Sequence, residues 1–369
     1  MRLLLPRGTI FFALLLWATQ IFAQILPTYA DVNYVGDNTD KHLLDVYIPP
    51  DLLGPRPAVV YIHGGGWENG EKKGELHQDL TRLYQYAKYV VVDINYRYSQ
   101  DSIWPAQLYD CKTAIRHLRH YADMYNIDTC AIGVMGHSAG GHLAAMLGTT
   151  GHIDSLEGYH LGYPEHTGTV QAVIDFFGPT NFLEADGYFP LNPPDSCVNV
   201  AVYSPPYSMT SQLLGCPIAT CPERVRSANP ITYIDGSEPP FRIYHGTFDC
   251  IVPLHHSQIL YQSLRAASVP TDFIVVENAV HADPVFYANE AAVAFTDFFV
   301  DHLSAAACFP TSTDTISEEL EEEAKMLSIY PNPVSDFLFI DVEENISSVL
   351  SIDIINCTGK IIGLSLIHI

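Results

Sequence analysis

Residues from about Leu43 to Leu303 predict an α/β fold, a mostly parallel central sheet with helices on both faces. Three observations carry that expectation. Short runs rich in β-branched and aromatic residues alternate with segments of helical periodicity, the pattern of a parallel sheet wound by crossover helices. Several of those runs are apolar on both faces, as strands covered on both sides must be. The 369-residue chain is also 48% hydrophobic and only 16% charged, enough to bury one large core or two smaller ones and too apolar for disorder to dominate.

In chain order, residues 1–23 read as an export signal. Arg2 and Arg7 give a basic start, Ile10–Trp17 is an apolar run too short to span a bilayer comfortably, and Ile21-Phe22-Ala23 ends on a small residue, which predicts cleavage after Ala23. An uncleaved N-terminal anchor is the alternative. Strands are expected at Leu43–Ile48, Ala58–His63, Tyr89–Ile94, Ala131–Met135, Val170–Phe176, Phe241–His245 and Phe273–Val276. Leu108, Cys111, Ile115, Leu118 and Ala122 recur at helical steps behind Trp104-Pro105, which places proline at a helix start. Ala288, Ala291, Phe295, Phe298 and Phe299 repeat that pattern. No self-similar period points to a solenoid or propeller.

Residues 182–240 interrupt the alternation with ten prolines and three of the eight cysteines, so a loop-rich cap inserted between two strands is expected there, within a domain spanning 24–303. After Leu303 the composition shifts to small residues, threonines and the acidic run Glu318–Glu323, a linker over 304–327. From Ser328 to Ile369, Phe337, Phe339, Leu350, Ile352 and Ile354 alternate with polar residues and Cys357-Thr358-Gly359-Lys360 reads as a turn, giving a small, partial β-sandwich-like module.

Forty-two acidic residues against 18 Lys and Arg give a net charge of −24, which leaves no positive field to hold phosphates, so nucleic acid is not an expected partner. Residues 304–369 hold eleven Asp and Glu and two Lys, about −9 of that charge, which marks the end of the chain as a separate unit. Cys111, Cys130, Cys197, Cys216, Cys221, Cys250, Cys308 and Cys357 include no CxxC pair, so neither a zinc–thiolate site nor a redox motif is supported and no metal or cofactor is expected. In an exported chain the thiols can oxidise. Cys216 and Cys221 are the best candidates for a short-loop disulfide, and isolated buried thiols are the competing reading for Cys111 and Cys130.

Two motifs carry chemistry. His63-Gly64-Gly65-Gly66-Trp67 follows directly on an apolar strand, and its glycines let bare N–H groups approach a substrate atom. Gly136-His137-Ser138-Ala139-Gly140 fits G-x-S-x-G between a strand and a helix starting near Gly141, the context in which a strained turn presents the serine hydroxyl at the sheet edge. A serine needs a base, and the expected order is Ser, acid, His. Asp249 lies just beyond the strand Phe241–His245, and His281 beyond Phe273–Val276. Asp272 opens a strand and Asp283 follows His281, which ranks both behind Asp249. His255 and His256 open a helix after Pro253 and are expected to face solvent.

These residues resemble an α/β-hydrolase, and more narrowly the HGGGW esterase group that includes feruloyl and acetyl-xylan esterases. Further matching stretches are Asp93-Ile94-Asn95-Tyr96-Arg97-Tyr98, Trp104-Pro105-Ala106, Leu213-Leu214-Gly215, Ala228-Asn229-Pro230-Ile231 and Pro239-Pro240-Phe241. The resemblance covers about residues 30–303. It implies Ser138 as nucleophile, His281 as base, Asp249 as its orienter, and an oxyanion hole from the N–H groups of Gly65, Gly66 and Ala139. Such sequences commonly carry glycine before the histidine, where this one has Val280. Trp67, Tyr96, Tyr98 and the cap aromatics are candidates to stack on a sugar or phenolic ring, with core packing the competing reading.

The tail resembles the C-terminal sorting domain of type IX secretion, through Tyr330-Pro331-Asn332-Pro333 and Gly359-Lys360. That implies Gram-negative export through the periplasm to the surface or medium, with the export machinery as partner. Such domains normally have more strands, and Leu364–Ile369 can be encoded by a transposon end used in sequencing libraries, so a truncated frame is expected. The implied reaction is acyl transfer from an ester to water through an acyl-enzyme, on acetyl or feruloyl esters of plant polysaccharide. A general short-chain carboxylesterase, a peptidase of the prolyl-oligopeptidase type and an inactive sugar-binding scaffold are the alternatives.

Overall fold

The computed structural model describes residues 24–52, 54–77, 80–188 and 201–303, together with the backbone of four strands between 327 and 367. The export signal, the linker 304–326, the tail turn 356–360 and Cys197, Cys308 and Cys357 lie outside the described residues.

Eight strands form one sheet: β1 (Tyr29–Asn33), β2 (Leu43–Tyr47), β3 (Arg56–Ile62), β4 (Val90–Ile94), β5 (Ile127–His137), β6 (Ala172–Phe176), β7 (Phe241–Gly246) and β8 (Thr271–Val276). Their spatial order is β1-β2-β4-β3-β5-β6-β7-β8. The first two strands pair antiparallel and β4 through β8 run parallel, so the expected mostly parallel sheet is present. Helices α1 (Thr81–Gln85), α2 (Ala106–His120), α3 (Ala122–Tyr125), α4 (Ala139–Thr149), α5 (Met209–Leu214), α6 (Pro222–Ser227), α7 (His255–Ala266) and α8 (Asn289–His302) connect or flank the strands. Two apolar clusters, one on each face, bury the central strands: Val60, Ile62, Val92 and Val134 meet Leu108, Ile115 and Leu143 on one side, and Val59, Val91 and Ile174 meet Phe295 and Phe299 on the other. The double-sided apolarity of the sequence runs follows from this arrangement.

Three elements differ from expectation. β1 is new; its alternation is interrupted by Asp31 at φ 53° and by a register shift between Tyr29 and Val32. β5 starts four residues before Ala131, because Ile127 already pairs with Arg56 through an irregularity that absorbs polar Asp128 and Thr129. The helix behind Pro105 ends at His120, two residues before Ala122; the chain restarts as α3 and stops at Asn126, which is left-handed at φ 56°.

Between β6 and β7 the described part of 182–240 holds α5, α6 and short 3-10 turns, with a Cys216–Cys221 disulfide. Cys130 is disulfide-bonded as well, which corrects the reading of it as an isolated thiol, and so is Cys250; Cys111 is a buried free thiol. In the tail, β9 (Leu327–Tyr330) pairs antiparallel with β10 (Phe339–Val342), and β11 (Leu350–Ile355) with β12 (Ile361–Ile367). No helix among the described residues is long and apolar enough to cross a membrane.

Candidate active site

All motif residues gather at one edge of the sheet because parallel strands deliver them there. Ser138 follows β5, Asp249 follows β7, His281 follows β8, and the His63–Trp67 loop follows β3. Each therefore sits beyond the carboxyl end of its strand, where open α/β sheets leave a crevice.

Ser138 occupies a strained backbone position, φ 57° and ψ −118°, between β5 and α4. Its N–H donates to Phe176 O at 2.9 Å, which clips the turn to the neighbouring strand. The turn needs glycine nearby: a Cβ on Gly140 would collide with the carbonyl oxygen of Ile62, so the helix could not approach β3. Ser138 Oγ lies 3.0 Å from Nε2 of His281, and Nδ1 of His281 lies 2.7 Å from Asp249 Oδ2. The other Asp249 oxygen accepts the N–H groups of Ile251 and Val252, both at 2.8 Å. Burial alone would raise the carboxyl's pKa, but hydrogen bonds from His245 and His281 hold it well below the usual carboxylate range. Phe177 packs edge-on against the His281 ring at 4.7 Å. The loop places its left-handed residues at Asn278 (φ 62°) and Ala282 (φ 55°), on either side of Val280. A β-branched residue is therefore accommodated at 280 where a glycine is usual.

The competing groups are engaged elsewhere. Asp272 pairs with Arg242 at 2.6 Å, and Asp283 caps the turn Pro284–Tyr287. His137, adjacent to the serine, is stacked between Phe176 and Tyr287 and pushed down to about 3 by burial, which removes it as a base near neutral pH. His255 faces solvent as expected, but His256 is fully buried, its Nδ1 accepting the N–H groups of Thr180 and Asn181. The loop after β6 folds over α7 and covers it.

A cleft of about 250 Å³ opens beside Ser138. Gly66, Trp67 and Ala139 line it together with Tyr203, Tyr207, Met209, Ile251 and Val252. The N–H groups of Gly65, Gly66 and Ala139 have no protein acceptor among the described residues. Gly66 is left-handed at φ 62°, a conformation that favours glycine, and a Cβ there would displace the Met209 side chain that lines the cleft. Trp67 reaches the cleft but is only 3% exposed, its ring packed edge-on against His142 and Phe182. Tyr96 is core, stacked on His63 with its hydroxyl on His63 O, and Tyr98 lies under Lys41; neither lines the cleft.

Of the cap aromatics, Tyr203 and Tyr207 do line the cleft. The sequence reading missed Met209, Ile251 and Val252 beside them, and also His245. Nothing distinguishes Met209 within a proline-rich segment that lacks periodicity, whereas the position of Ile251 and Val252 directly after Asp249 was a usable signal. His245, fully buried, has Nδ1 2.7 Å from Ser257 Oγ and Nε2 2.8 Å from Val252 O and 3.4 Å from Asp249 Oδ2. The cap is fastened to the serine helix and to the segment before α2: His142 Nε2 donates to Ala228 O at 2.7 Å, and Trp104 N donates to Leu213 O at 2.8 Å. The outlying stretches Trp104–Ala106, Leu213–Gly215 and Ala228–Ile231 thus meet around the site.

Residues 44–264 match the model of the BD-FAE family, and residues 328–367 that of a secretion system C-terminal sorting domain. A probable carboxylic ester hydrolase, LipM, of Mycobacterium tuberculosis is 28% identical over 285 residues, 76% of this chain and 58% of the relative; esterase LipC of the same organism is 31% identical over 63% of this chain and 54% of its own. The chain thus spans little more than half the length of these curated relatives. Among solved structures, a truncated carbohydrate esterase from gut microbiota superposes with a TM-score of 0.65 at 30% identity, covering 74% of this chain and 95% of that one. A bifunctional GH43-CE protein of Bacteroides eggerthii gives 0.67 at 31% identity, over 75% of this chain and 35% of that one. Family profile, sheet order and the serine turn agree, and the chain belongs to the BD-FAE family of α/β-hydrolases.

Proposed function

We propose that the protein is an exported serine carboxylic-ester hydrolase. The hydrogen-bonded series Ser138–His281–Asp249, ending at a cleft beside unengaged backbone N–H groups, carries this reading. His281 takes the hydroxyl proton as Ser138 Oγ attacks the ester carbonyl, and the developing charge on oxygen falls to the N–H groups of Gly65, Gly66 and Ala139. The protonated imidazole returns its proton to the leaving alcohol, and water repeats the sequence on the acyl-enzyme. Asp249 holds the tautomer with Nε2 free to accept and stabilises the imidazolium. His245 acts through Asp249 as a positioning residue: Val252 offers its N–H to Asp249 Oδ1 and its carbonyl to His245, so the acid loop is held from both sides.

Acetyl or feruloyl esters of plant polysaccharide are the substrates we favour, supported by the solved gut-microbiota relative named as a carbohydrate esterase, at 30% identity. The apolar walls of the cleft and the mycobacterial esterases favour a second reading, a general short-chain carboxylesterase. We propose the domain plan of a signal at 1–23, the hydrolase at 24–303 with its cap at 182–240, a linker, and a sorting domain that delivers the protein to the cell surface or medium, the last supported by the sorting-domain match over 328–367.

The test is a panel of acetylated xylan, methyl ferulate and p-nitrophenyl esters of rising chain length, with Ser138→Ala alongside. Turnover of the variant should fall roughly a millionfold, and ester hydrolysis at the wild-type rate would sink the proposal. A preference for the polymer or ferulate over p-nitrophenyl butyrate decides between the two substrate readings.

A further inference from the structure

Cysteine spacing argues against a zinc–thiolate site but says nothing about imidazole and carboxylate ligands. Three such groups converge at the end of α2: His120, its last residue, and Glu165 and His166 in the loop after the turn Tyr159–Leu161. His120 Nδ1 lies 2.9 Å and His166 Nε2 3.7 Å from the same oxygen, Glu165 Oε1, and the three ligand atoms fall within 4.8 Å of one another. A tetrahedral Zn²⁺ at ordinary bond lengths has ligand–ligand edges of about 3.3 Å. The two observed edges lie on either side of that value. The two imidazoles stand at 78° to each other with ring centres 5.5 Å apart, so they are not stacked.

The framework that brings these residues together is already built without an ion. Arg116 Nε donates to Gly162 O at 3.1 Å, and Arg119 donates to Thr167 O at 2.7 Å and Thr169 O at 2.8 Å, so two side chains of α2 hold the loop on both sides of Glu165 and His166. The His120 ring packs against Tyr121 and Tyr163. We propose that His120, Glu165 and His166 bind Zn²⁺ with three protein ligands and one position left to water, tying the carboxyl end of α2 to this loop. Two imidazoles and one carboxylate suit zinc, whereas Ca²⁺ and Mg²⁺ take more oxygens. The role is stabilisation. α2 ends here and the chain enters β5 at Ile127, at the opposite end of that strand from Ser138.

The experiment is calorimetric titration of the tag-free full chain with Zn²⁺, paired with thermal melts. The wild type should bind one equivalent with a Kd of micromolar order and gain a few degrees in Tm. Glu165→Gln and His166→Ala should each weaken binding at least about tenfold and lose the gain in Tm, while His152→Ala, a half-exposed histidine paired with Asp235 elsewhere, changes neither. All three are surface substitutions, and circular dichroism checks that they fold. Wild-type affinity in Glu165→Gln and His166→Ala, no binding by the wild type, or equal stabilisation by Mg²⁺ would overturn the proposal.

Discussion

Two regions of the hydrolase domain bury charged side chains, and they end differently. Around α2, Lys112 and Arg116 are fully buried and their donors are consumed within the protein: Lys112 Nζ by Glu157 Oε1 and Thr150 O, the Arg116 guanidinium by Glu157, Thr113, Gly158 and Gly162. Beyond β5, β7 and β8, Asp249 is buried just as fully, but its hydrogen bonds run through His281 to a hydroxyl at an open cleft. A closed network can only hold the fold together. An open-ended one keeps a proton acceptor poised for something that arrives from outside, and this difference separates a structural cluster from a reactive one.

Paired substitutions can break that comparison. Asp249→Asn should cost about 10⁴-fold in kcat per folded molecule, because the amide favours the wrong imidazole tautomer, and should also lower the melting temperature, because the buried carboxylate's hydrogen bonds are weakened; a variant that melts early yet turns over normally would place Asp249 with the structural cluster. Glu157→Gln should lose stability alone, about 3–5 kcal/mol from leaving two buried cations underpaired, with kcat/KM per folded molecule unaltered. Denaturant melts and initial rates on one preparation of each variant supply both numbers.

A smaller effect sharpens the contrast through pH. Asp175, on β6, is fully buried, with one oxygen accepting the Gly178 N–H at 2.8 Å, and burial pushes its carboxyl up to about 7. An acid raised in the folded state holds its proton more tightly there than in the unfolded chain. Stability therefore declines as pH rises from about 4, the unfolded aspartate value, to about 7, and is level above. Asp249, held low, works in the opposite sense: its contribution is present above the unfolded value and lost only as pH falls through its depressed one. Asp175→Asn should remove the decline when urea melts at about pH 5 and about pH 8 are compared, and a slope that survives the substitution would clear Asp175 as its source.

The parallel sheet and the residues that meet at its edge were legible in the sequence for a physical reason. Doubly buried strands demand continuous apolar runs, and a serine turn demands glycines at fixed offsets, as Gly140 against Ile62 shows. What was not legible depends on contacts between segments distant in the chain. His256 reads as a surface residue until the loop at Thr180 and Asn181 is seen to cover it. Tyr96 and Tyr207 are equally aromatic, yet one fills the core under His63 and the other lines the cleft. β1 was hidden by Asp31, whose N–H is held by the Asp45 carboxylate across the strand pair.

The central claim is that Ser138 is the nucleophile of an ester hydrolase, and the most direct measurement is covalent. The protein should be treated with a serine-directed fluorophosphonate, digested and mapped by mass spectrometry while residual p-nitrophenyl acetate hydrolysis is followed. The account predicts one adduct, on the peptide carrying Ser138, formed in step with loss of activity and absent from Ser138→Ala. Full inactivation with the label on another residue, or undiminished hydrolysis with Ser138 fully labelled, would contradict it.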